Sequence, residues 1–118
     1  MKLVNLTNRT INILDEYGNE RFSIAPSGLV VAASMQANII ETIHLDETQA
    51  VDVVEYEYGA VSSMPEPKPG VCYVVSYAVL QALQGSRPDV VSPDTSPGSV
   101  VRPHDGQKVL GVRQLRRL

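Results

Sequence analysis

The first third of the chain alternates hydrophobic and polar positions in short runs that are separated by turn residues. Residues 10–15 place isoleucines on one face and polar side chains on the other, which predicts a strand with one buried side. The Gly-Asn pair at 18–19 tolerates the positive φ of a tight turn, and residues 20–24 return to the same alternation. We therefore predict an antiparallel meander that also includes residues 2–6.

The middle of the chain has a weaker period and then a clearly amphipathic strand. Residues 25–28, Ala-Pro-Ser-Gly, predict a turn, and residues 29–33 predict a short strand after it. Residues 39–44 contain three isoleucines and predict a further strand. Residues 51–58 alternate apolar side chains with glutamates over their second half, which is typical of a strand with one solvated face.

The helical signal in this chain follows its most apolar segment. Residues 64–70 hold three prolines and predict a rigid surface crossing. Residues 71–75 predict a central, buried strand. Ser76 is a good N-cap, the residues after it carry one apolar stripe, and Gly85 suits a C-terminal cap. This pattern predicts one short helix at about 76–84, without a glycine-rich phosphate loop.

Together these elements indicate a mostly-β fold of the α+β class. We expect an antiparallel meander or a small barrel-like sheet that packs with the one helix. The C-terminal part adds a predicted hairpin, with its turn at residues 104–107, and a last strand. A length of 118 residues and a hydrophobic fraction of 43% suit a single domain that spans residues 1–118.

The net charge of −3 hides an uneven distribution. Residues 1–66 hold ten acidic and three basic side chains, whereas residues 67–118 hold three acidic and seven basic ones. Two oppositely charged faces explain this asymmetry, and so do ordinary solvated strands. A partner protein or the acidic half of a neighbouring subunit would satisfy the basic tail, Arg113, Arg116 and Arg117. Nucleic acid is less favoured, because the pI is about 5.3 and no aromatic residue lies among the arginines.

The sequence predicts a cytoplasmic protein. Charged and polar residues interrupt the N-terminus, so we expect no signal peptide. No apolar stretch approaches the roughly 20 residues that span a bilayer, so we expect no membrane association. Cys72 lies in an apolar run and is expected to be a buried core residue. If the protein is phage-encoded, its location is the host cytoplasm.

Patterns typical of catalytic or metal sites are not evident. His44 and His104 fall outside any hydrolase signature, and His104 beside Asp105 is more simply a solvated turn than an orienting pair. Glu55 and Glu57 share a strand face, which solvation explains without an acid–base role. The histidines and the cysteine match no zinc spacing. We therefore expect no enzyme activity, no metal and no cofactor.

The segment between Gly85 and Asp105 carries the strongest indication of function. Residues 86–98 contain three prolines and no regular period, and such segments are usually functional or disordered. Arginine binds phosphate or carboxylate bidentately, and the aspartates and hydroxyls suit a sugar. The candidate ligand-binding residues are Arg87, Asp89, Ser92, Asp94 and Thr95, together with Arg9 from the first turn. The alternative is a structured loop whose polar side chains cap their own backbone.

Several segments stand out as motifs: residues 2–7 (Lys-Leu-Val-Asn-Leu-Thr), 10–13, 26–28, 64–67, 71–76 and 87–95. Together they resemble a group of small uncharacterised proteins from phages, prophages and actinobacterial genomes. The resemblance covers most of the chain, but its motifs are structural and imply no activity. Many members carry Pro-His where this chain has Asn8 and Arg9, so no role of a histidine there carries over. The resemblance implies a phage or mobile-element context.

Three hypotheses follow. The first is a non-catalytic phage-type accessory protein that binds a small ligand or partner as a homo-oligomer, in its concrete form a sponge for a nucleotide-derived immune signal. The second is a structural or assembly protein of a phage particle, and the third is an enzyme whose polar cluster is assembled from distant residues. A nucleotide retained by the purified protein, and lost in Arg87→Ala, would support the sponge and the loop site.

Overall fold

The computed structural model of the protein describes residues 1–96, 98–101 and 111–118, and these contain ten strands and one helix. The strands are β1 Lys2–Asn5, β2 Ile11–Leu14, β3 Glu20–Ile24, β4 Ala33–His44, β5 Ala50–Val61, β6 Val71–Val74, β7 Val90–Pro93, β8 Val100–Val101, β9 Gly111–Val112 and β10 Leu115–Arg116. The helix α1 spans Tyr77–Leu83. The mostly-β, α+β class that the sequence predicts is confirmed.

Four strands form a first, mixed sheet in the order β1-β6-β7-β10. β1, β6 and β7 run parallel, and β10 pairs with β7 in the antiparallel sense. β6 lies inside the sheet, as its apolar sequence predicts, since a strand covered on both faces carries apolar residues at every position. Because the three parallel strands share a direction, the loops that follow them meet at one edge.

Buried apolar side chains cover both faces of the first sheet. On one face Tyr73 and Val75 pack with Val79 and Leu80 of α1. On the opposite face Cys72 and Val74 join a second cluster with Ile11, Ile13, Ile24, Val91 and Val112. The body of the protein therefore has three layers, with the helix, the first sheet and the second sheet stacked in that order.

The second sheet has the order β3-β2-β9-β8. Its β2–β3 hairpin is the one that the N-terminal alternation predicts. The side chain of Asp15 holds the turn, because its Oδ1 accepts hydrogen bonds from the backbone N–H groups of Tyr17 and Asn19, both at 2.9 Å. Gly18 takes the positive φ of 83° that the turn requires.

The helix begins and ends close to the predicted positions of about 76 and 84. Ser76 is its N-cap and accepts a 3.4 Å hydrogen bond from the backbone N–H of Val79. At its C-terminus Gln84 adopts the left-handed conformation, with φ 52°, and Gly85 follows with φ 75°. Local capping chemistry therefore fixes both ends of the helix.

β4 and β5 form a separate two-stranded antiparallel hairpin, called the arm here (residues 33–61). At its root Ala33 and Val61 pack against the body. The radius of gyration is 17.4 Å, against about 13.5 Å expected for a compact chain of this length. The arm therefore projects from the body.

Two register shifts in the arm explain why the sequence pattern was weak there. They fall between Ala33 and Met35 and between Ile39 and Glu41, and each breaks the two-residue period of side chains. The sequence predicted separate strands at residues 29–33 and 39–44. The structure has no strand at residues 29–32, so that prediction is wrong; residues 39–44 form the second half of one longer strand, β4, because its partner β5 spans both shifts.

Parallel pairing is the main difference from the expected meander. The antiparallel expectation holds for the β2–β3 hairpin and for the arm, whereas β6 and β7 are joined through α1, the type of crossover that parallel strands need. Across residues 1–96, 98–101 and 111–118 the sheets are mixed and do not close into a barrel. The turn predicted at residues 104–107 lies outside the described residues.

Candidate functional site

A cleft of about 430 Å³ opens where β1, β6 and β7 end. In open parallel sheets, ligands bind in the crevice outside the carboxyl ends of the strands. We call this site the carboxyl-edge cleft. Its described lining residues are Thr7, Asn8, Arg9, Thr10, Ile11, Asn12, Ser76, Tyr77, Ser92, Pro93, Thr95, Gly111 and Val112.

The loop after β1 is held in place by Asn5, which is 1% exposed. Its Oδ1 accepts hydrogen bonds from the backbone N–H and the hydroxyl of Thr7, at 2.9 and 2.7 Å. Its Nδ2 donates to the backbone oxygens of Arg9 and Ile24, at 2.7 and 2.9 Å. One buried amide therefore ties this loop to the end of β3 and fixes the backbone that carries Arg9.

Arg9 lies at the rim of the cleft with an exposed side chain. Within the part of the chain that the structure describes, its guanidinium forms no ion pair or hydrogen bond. The backbone on either side is restrained, since the Arg9 carbonyl accepts from the amide of Asn5 and the Arg9 N–H donates to the hydroxyl of Thr7 at 3.3 Å. The backbone of Arg9 is therefore fixed, and its guanidinium is available to a phosphate or carboxylate.

An aromatic ring, that of Tyr77, lines the same cleft and is 41% exposed. The guanidinium of Arg116 lies over this ring, 4.7 Å from its centre, which is a favourable cation–π geometry. The Tyr77 hydroxyl also accepts a hydrogen bond from the side-chain amide of Gln81. Contacts on the face and at the hydroxyl therefore hold the ring in a defined orientation at the start of α1.

Three of the six residues predicted to bind a ligand line this cleft: Arg9, Ser92 and Thr95. Thr95 is exposed. Ser92 is fully buried beneath the cleft, and its hydroxyl donates to the backbone oxygen of Pro93 at 3.3 Å. Arg9 and Thr95 are thus the predicted residues whose side chains are accessible from the cleft.

Asp94 supports the cleft from behind. Its carboxylate accepts a 2.6 Å hydrogen bond from the amide of Gln114 and a 3.0 Å bond from the backbone N–H of Ser96. These two bonds hold the pKa of Asp94 below its ordinary value, the bond from Gln114 having the larger effect. Asp94 therefore joins the end of β7 to the C-terminal segment.

Arg87 and Asp89 precede β7, so they lie at the amino ends of the parallel strands, whereas the cleft lies at the carboxyl ends. Two hydrogen bonds of 2.9 and 2.8 Å join the guanidinium to the carboxylate, and a third, of 3.0 Å, runs from Arg87 to the backbone oxygen of Pro65. The bond to Arg87 lowers the pKa of Asp89. This pair fastens the proline segment 64–70 to the body.

The basic tail is largely engaged with its own chain. The guanidinium of Arg113 donates to the backbone oxygens of Asp15, Glu16 and Gly98, at 3.4, 3.1 and 3.1 Å, and Arg116 covers the Tyr77 ring. Both side chains therefore stabilise the fold around the cleft, a use of positive charge that the sequence alone did not indicate.

The titratable residues considered from sequence lie elsewhere. His44, Glu55 and Glu57 are exposed on the arm, and His104 lies outside the described residues. Cys72 is buried, and this burial raises the pKa of its thiol. Over the described ranges, no group of three or more His, Cys, Asp or Glu side chains can hold a metal ion. The described helix, of seven residues, is too short to cross a membrane.

The sequence missed Ser76 and Tyr77 as residues of the cleft. The available signal was the strand–serine–helix junction at residues 71–84, because such a junction opens at the carboxyl edge when its strands are parallel. What the sequence lacked was evidence that β1 pairs with β6, since the two strands are separated by more than 60 residues. That pairing brings the loop of Arg9 beside Tyr77.

The chain matches no known protein-family model, and comparison with curated proteins and with solved structures found no match. The phage context that its motifs imply therefore stays a prediction. The function of the carboxyl-edge cleft is inferred from its own residues and their chemistry.

Proposed function

We propose that this protein is a non-catalytic accessory protein that binds a nucleotide-like small molecule in the carboxyl-edge cleft. The observation that carries the proposal is the presence of Arg9 and Tyr77 on the walls of one cleft. An arginine supplies bidentate recognition of a phosphate, and a tyrosine ring supplies a stacking surface for a base. Together they match the two chemically distinct ends of a nucleotide.

The remaining described lining suits a sugar and a base edge. It offers the hydroxyls of Thr10, Ser76 and Thr95 and the amide of Asn8, with no carboxylate among the described lining residues. An anionic ligand would therefore meet a favourable potential. The volume of about 430 Å³ lies within the range of roughly 300–1,000 Å³ that small-molecule sites occupy.

Binding without turnover is the function that this lining favours. Its described residues include neither a histidine nor a carboxylate that would serve as a general base, and no nucleophile–base pair. A protein that holds a nucleotide without consuming it lowers the free concentration of that nucleotide. In a phage context this is the action of a sponge for a nucleotide-derived immune signal, working in the host cytoplasm.

The experiment is to purify the protein, denature it and identify released small molecules by mass spectrometry. Calorimetry would then compare a nucleoside with its mono- and diphosphate. We expect the phosphorylated forms to bind more tightly, and Arg9→Ala to weaken their binding by about tenfold or more, since a charge-assisted hydrogen bond contributes about 1.5–3 kcal/mol. Arg21→Ala, which removes an exposed arginine outside the cleft, is the matched control and should bind normally.

A second candidate is a structural or assembly protein of a phage particle, and the arm favours it. Its two strands project from the body with apolar side chains exposed, as expected of a segment that joins subunits. This candidate predicts a large homo-oligomer that carries no small molecule. Light scattering together with native mass spectrometry separates the two candidates, because it reports stoichiometry and bound ligand in one experiment.

A further inference from the structure

The arm exposes more apolar surface than a solvated hairpin needs. Seven large apolar side chains on its strands are between 40% and 63% exposed: Met35, Ile39, Ile40, Ile43, Val51, Val54 and Tyr56. A two-stranded hairpin alone is at best marginally stable in water. An exposed apolar patch of this extent marks an interaction surface.

Both faces of the arm take part in this surface. Near the root, the register places Met35, Ala37 and Ile39 on one face beside Tyr56 and Val54. The shift between Ile39 and Glu41 transfers the apolar positions to the opposite face. Toward the tip that face carries Ile43 opposite Val51. The root half and the tip half of the arm therefore present their apolar side chains on opposite faces.

The arm and the rest of the molecule carry net charges of opposite sign. Residues 33–61 hold six carboxylates and no lysine or arginine, whereas the rest of the chain holds seven carboxylates and ten lysines and arginines. An acidic partner, including a nucleic acid, would be repelled by the arm. The surface with the complementary charge is the body of this same protein.

We propose that the arm docks on the body of a second copy of this chain, in the groove between Lys2 and Lys68, and that two copies exchange arms reciprocally. The groove has a volume of about 370 Å³, and its walls include the apolar side chains of Val4, Leu29 and Val71. Both lysines are exposed, and the described residues that line the groove include no carboxylate. Apolar walls with a basic rim match the apolar, acidic arm.

The position of β1 adds a backbone reason for this acceptor site. β1, whose Lys2 and Val4 line the groove, is the edge strand of the first sheet, and among the described residues its outer side is bridged only at Asn5, to Pro26. An exposed strand edge accepts another strand through main-chain hydrogen bonds. Each strand of the arm also has a free outer edge, because the arm contains two strands.

The size of the contact favours reciprocal exchange over one arm on one body. Twelve residues at about 3.4 Å per residue make an arm about 40 Å long, and two strands make it about 10 Å wide, so one face covers about 400 Å². A stable interface buries about 800 Å² on each partner. Reciprocal exchange reaches about 800 Å² on each copy, because each copy buries one face of its own arm and also the groove that receives the other arm. Arm-on-arm pairing would bring six carboxylates against six others.

The test uses charge reversal in the full chain, with mass measured by sedimentation equilibrium and light scattering at tens of micromolar. We expect the native protein to have twice the 12.8 kDa mass of one chain. The groove variant Lys2→Glu/Lys68→Glu and the arm variant Glu55→Lys/Glu57→Lys should each be monomeric. An equimolar mixture of the two variants should restore the dimer, because every arm then meets a groove of opposite charge.

The control Glu16→Lys/Glu20→Lys changes two exposed carboxylates of the body and should stay dimeric. All six substituted positions of the three variants are exposed, and circular dichroism melting would verify that each variant is folded. A monomeric native protein would overturn the proposal. So would a groove variant that stays dimeric, which would show that the two lysines do not receive the arm, or a mixture that stays monomeric. The proposal does not depend on the ligand of the carboxyl-edge cleft.

Discussion

The guanidinium of Arg116 lies 4.7 Å from the centre of the Tyr77 ring. Arg116 belongs to β10, the last strand, and Tyr77 is the first residue of α1, so this contact fastens the C-terminal segment to a wall of the carboxyl-edge cleft. Cation–π contacts at exposed sites contribute about 0.5–1 kcal/mol. Arg116→Ala should therefore weaken nucleotide binding about two- to fivefold by freeing the ring, which calorimetry would measure. An unchanged affinity would show that the ring orientation does not matter for binding.

The ring and the hydroxyl of Tyr77 should contribute unequally. Tyr77→Phe keeps the stacking surface and loses the hydrogen bond with Gln81, so we expect near-native binding. Tyr77→Ala removes the surface itself and should weaken binding about tenfold or more, since base stacking contributes about 1–3 kcal/mol. If Phe and Ala weaken binding equally, the hydroxyl and not the ring contacts the ligand.

The buried amide of Asn5 should have the largest effect on stability of any polar residue near the cleft. Asn5→Ala removes four hydrogen bonds and leaves the buried carbonyl of Ile24 without this donor. We expect a loss of about 2–3 kcal/mol in the free energy of unfolding, measured by urea denaturation. Asn8→Ala, an exposed substitution in the same loop, should change it by less than about 0.5 kcal/mol.

How much of the structure the sequence predicts depends on whether the deciding interactions are local. The β2–β3 turn is fixed by Asp15 bonding two to four residues ahead, and the helix is capped by Ser76 three residues before its partner. Both were predicted. The pairing of β1 with β6 joins distant segments, and no local pattern indicates it. The carboxyl-edge cleft depends on that pairing, which is why the sequence did not indicate that Tyr77 lies beside Arg9.

The ligand site predicted in residues 86–98 shows a second reason why a sequence-based prediction can fail. Arg87 and Asp89 have the chemistry of a phosphate and ribose site, but they stand two residues apart, and the structure pairs them with each other. The composition of a segment shows which polar side chains are present, but it does not show which of them already pair with each other. Arg9 was the other candidate arginine, and its guanidinium has no partner among the described residues.

Disruption of the Arg87–Asp89 pair should therefore affect stability and leave nucleotide binding intact. The carboxylate and guanidinium are each less than one-fifth exposed, so Arg87→Ala should destabilise the fold by about 1–2 kcal/mol. Its nucleotide affinity, measured below the melting temperature, should equal that of the native protein. Loss of nucleotide retention in a folded Arg87→Ala variant would return the ligand site to the 86–98 loop.

The same pair should make stability depend on acid pH. Arg87 holds the pKa of Asp89 below its ordinary value, so the stability that this carboxylate contributes is complete above its unfolded pKa of about 3.9. It is lost as the pH falls through the lower, folded pKa. Melting between pH 7 and pH 2.5 should show a smaller loss in Asp89→Asn than in the native protein. Equal losses would mean that other carboxylates, such as Asp94, carry the acid sensitivity.

Gly111 should be intolerant of any side chain, because β9 approaches β2 closely at this point. A Cβ added there would lie 2.5 Å from the backbone oxygen of Asn12 and 3.1 Å from Cγ of Leu14, so β9 would have to move away. Overpacking of this kind costs about 1–3 kcal/mol. Since Gly111 and Asn12 both line the cleft, Gly111→Ala should reduce both the melting temperature and nucleotide affinity. Gly98→Ala is the matched control, because its added Cβ meets no atom of the described residues within 4 Å. Equal effects at the two glycines would contradict the packing explanation.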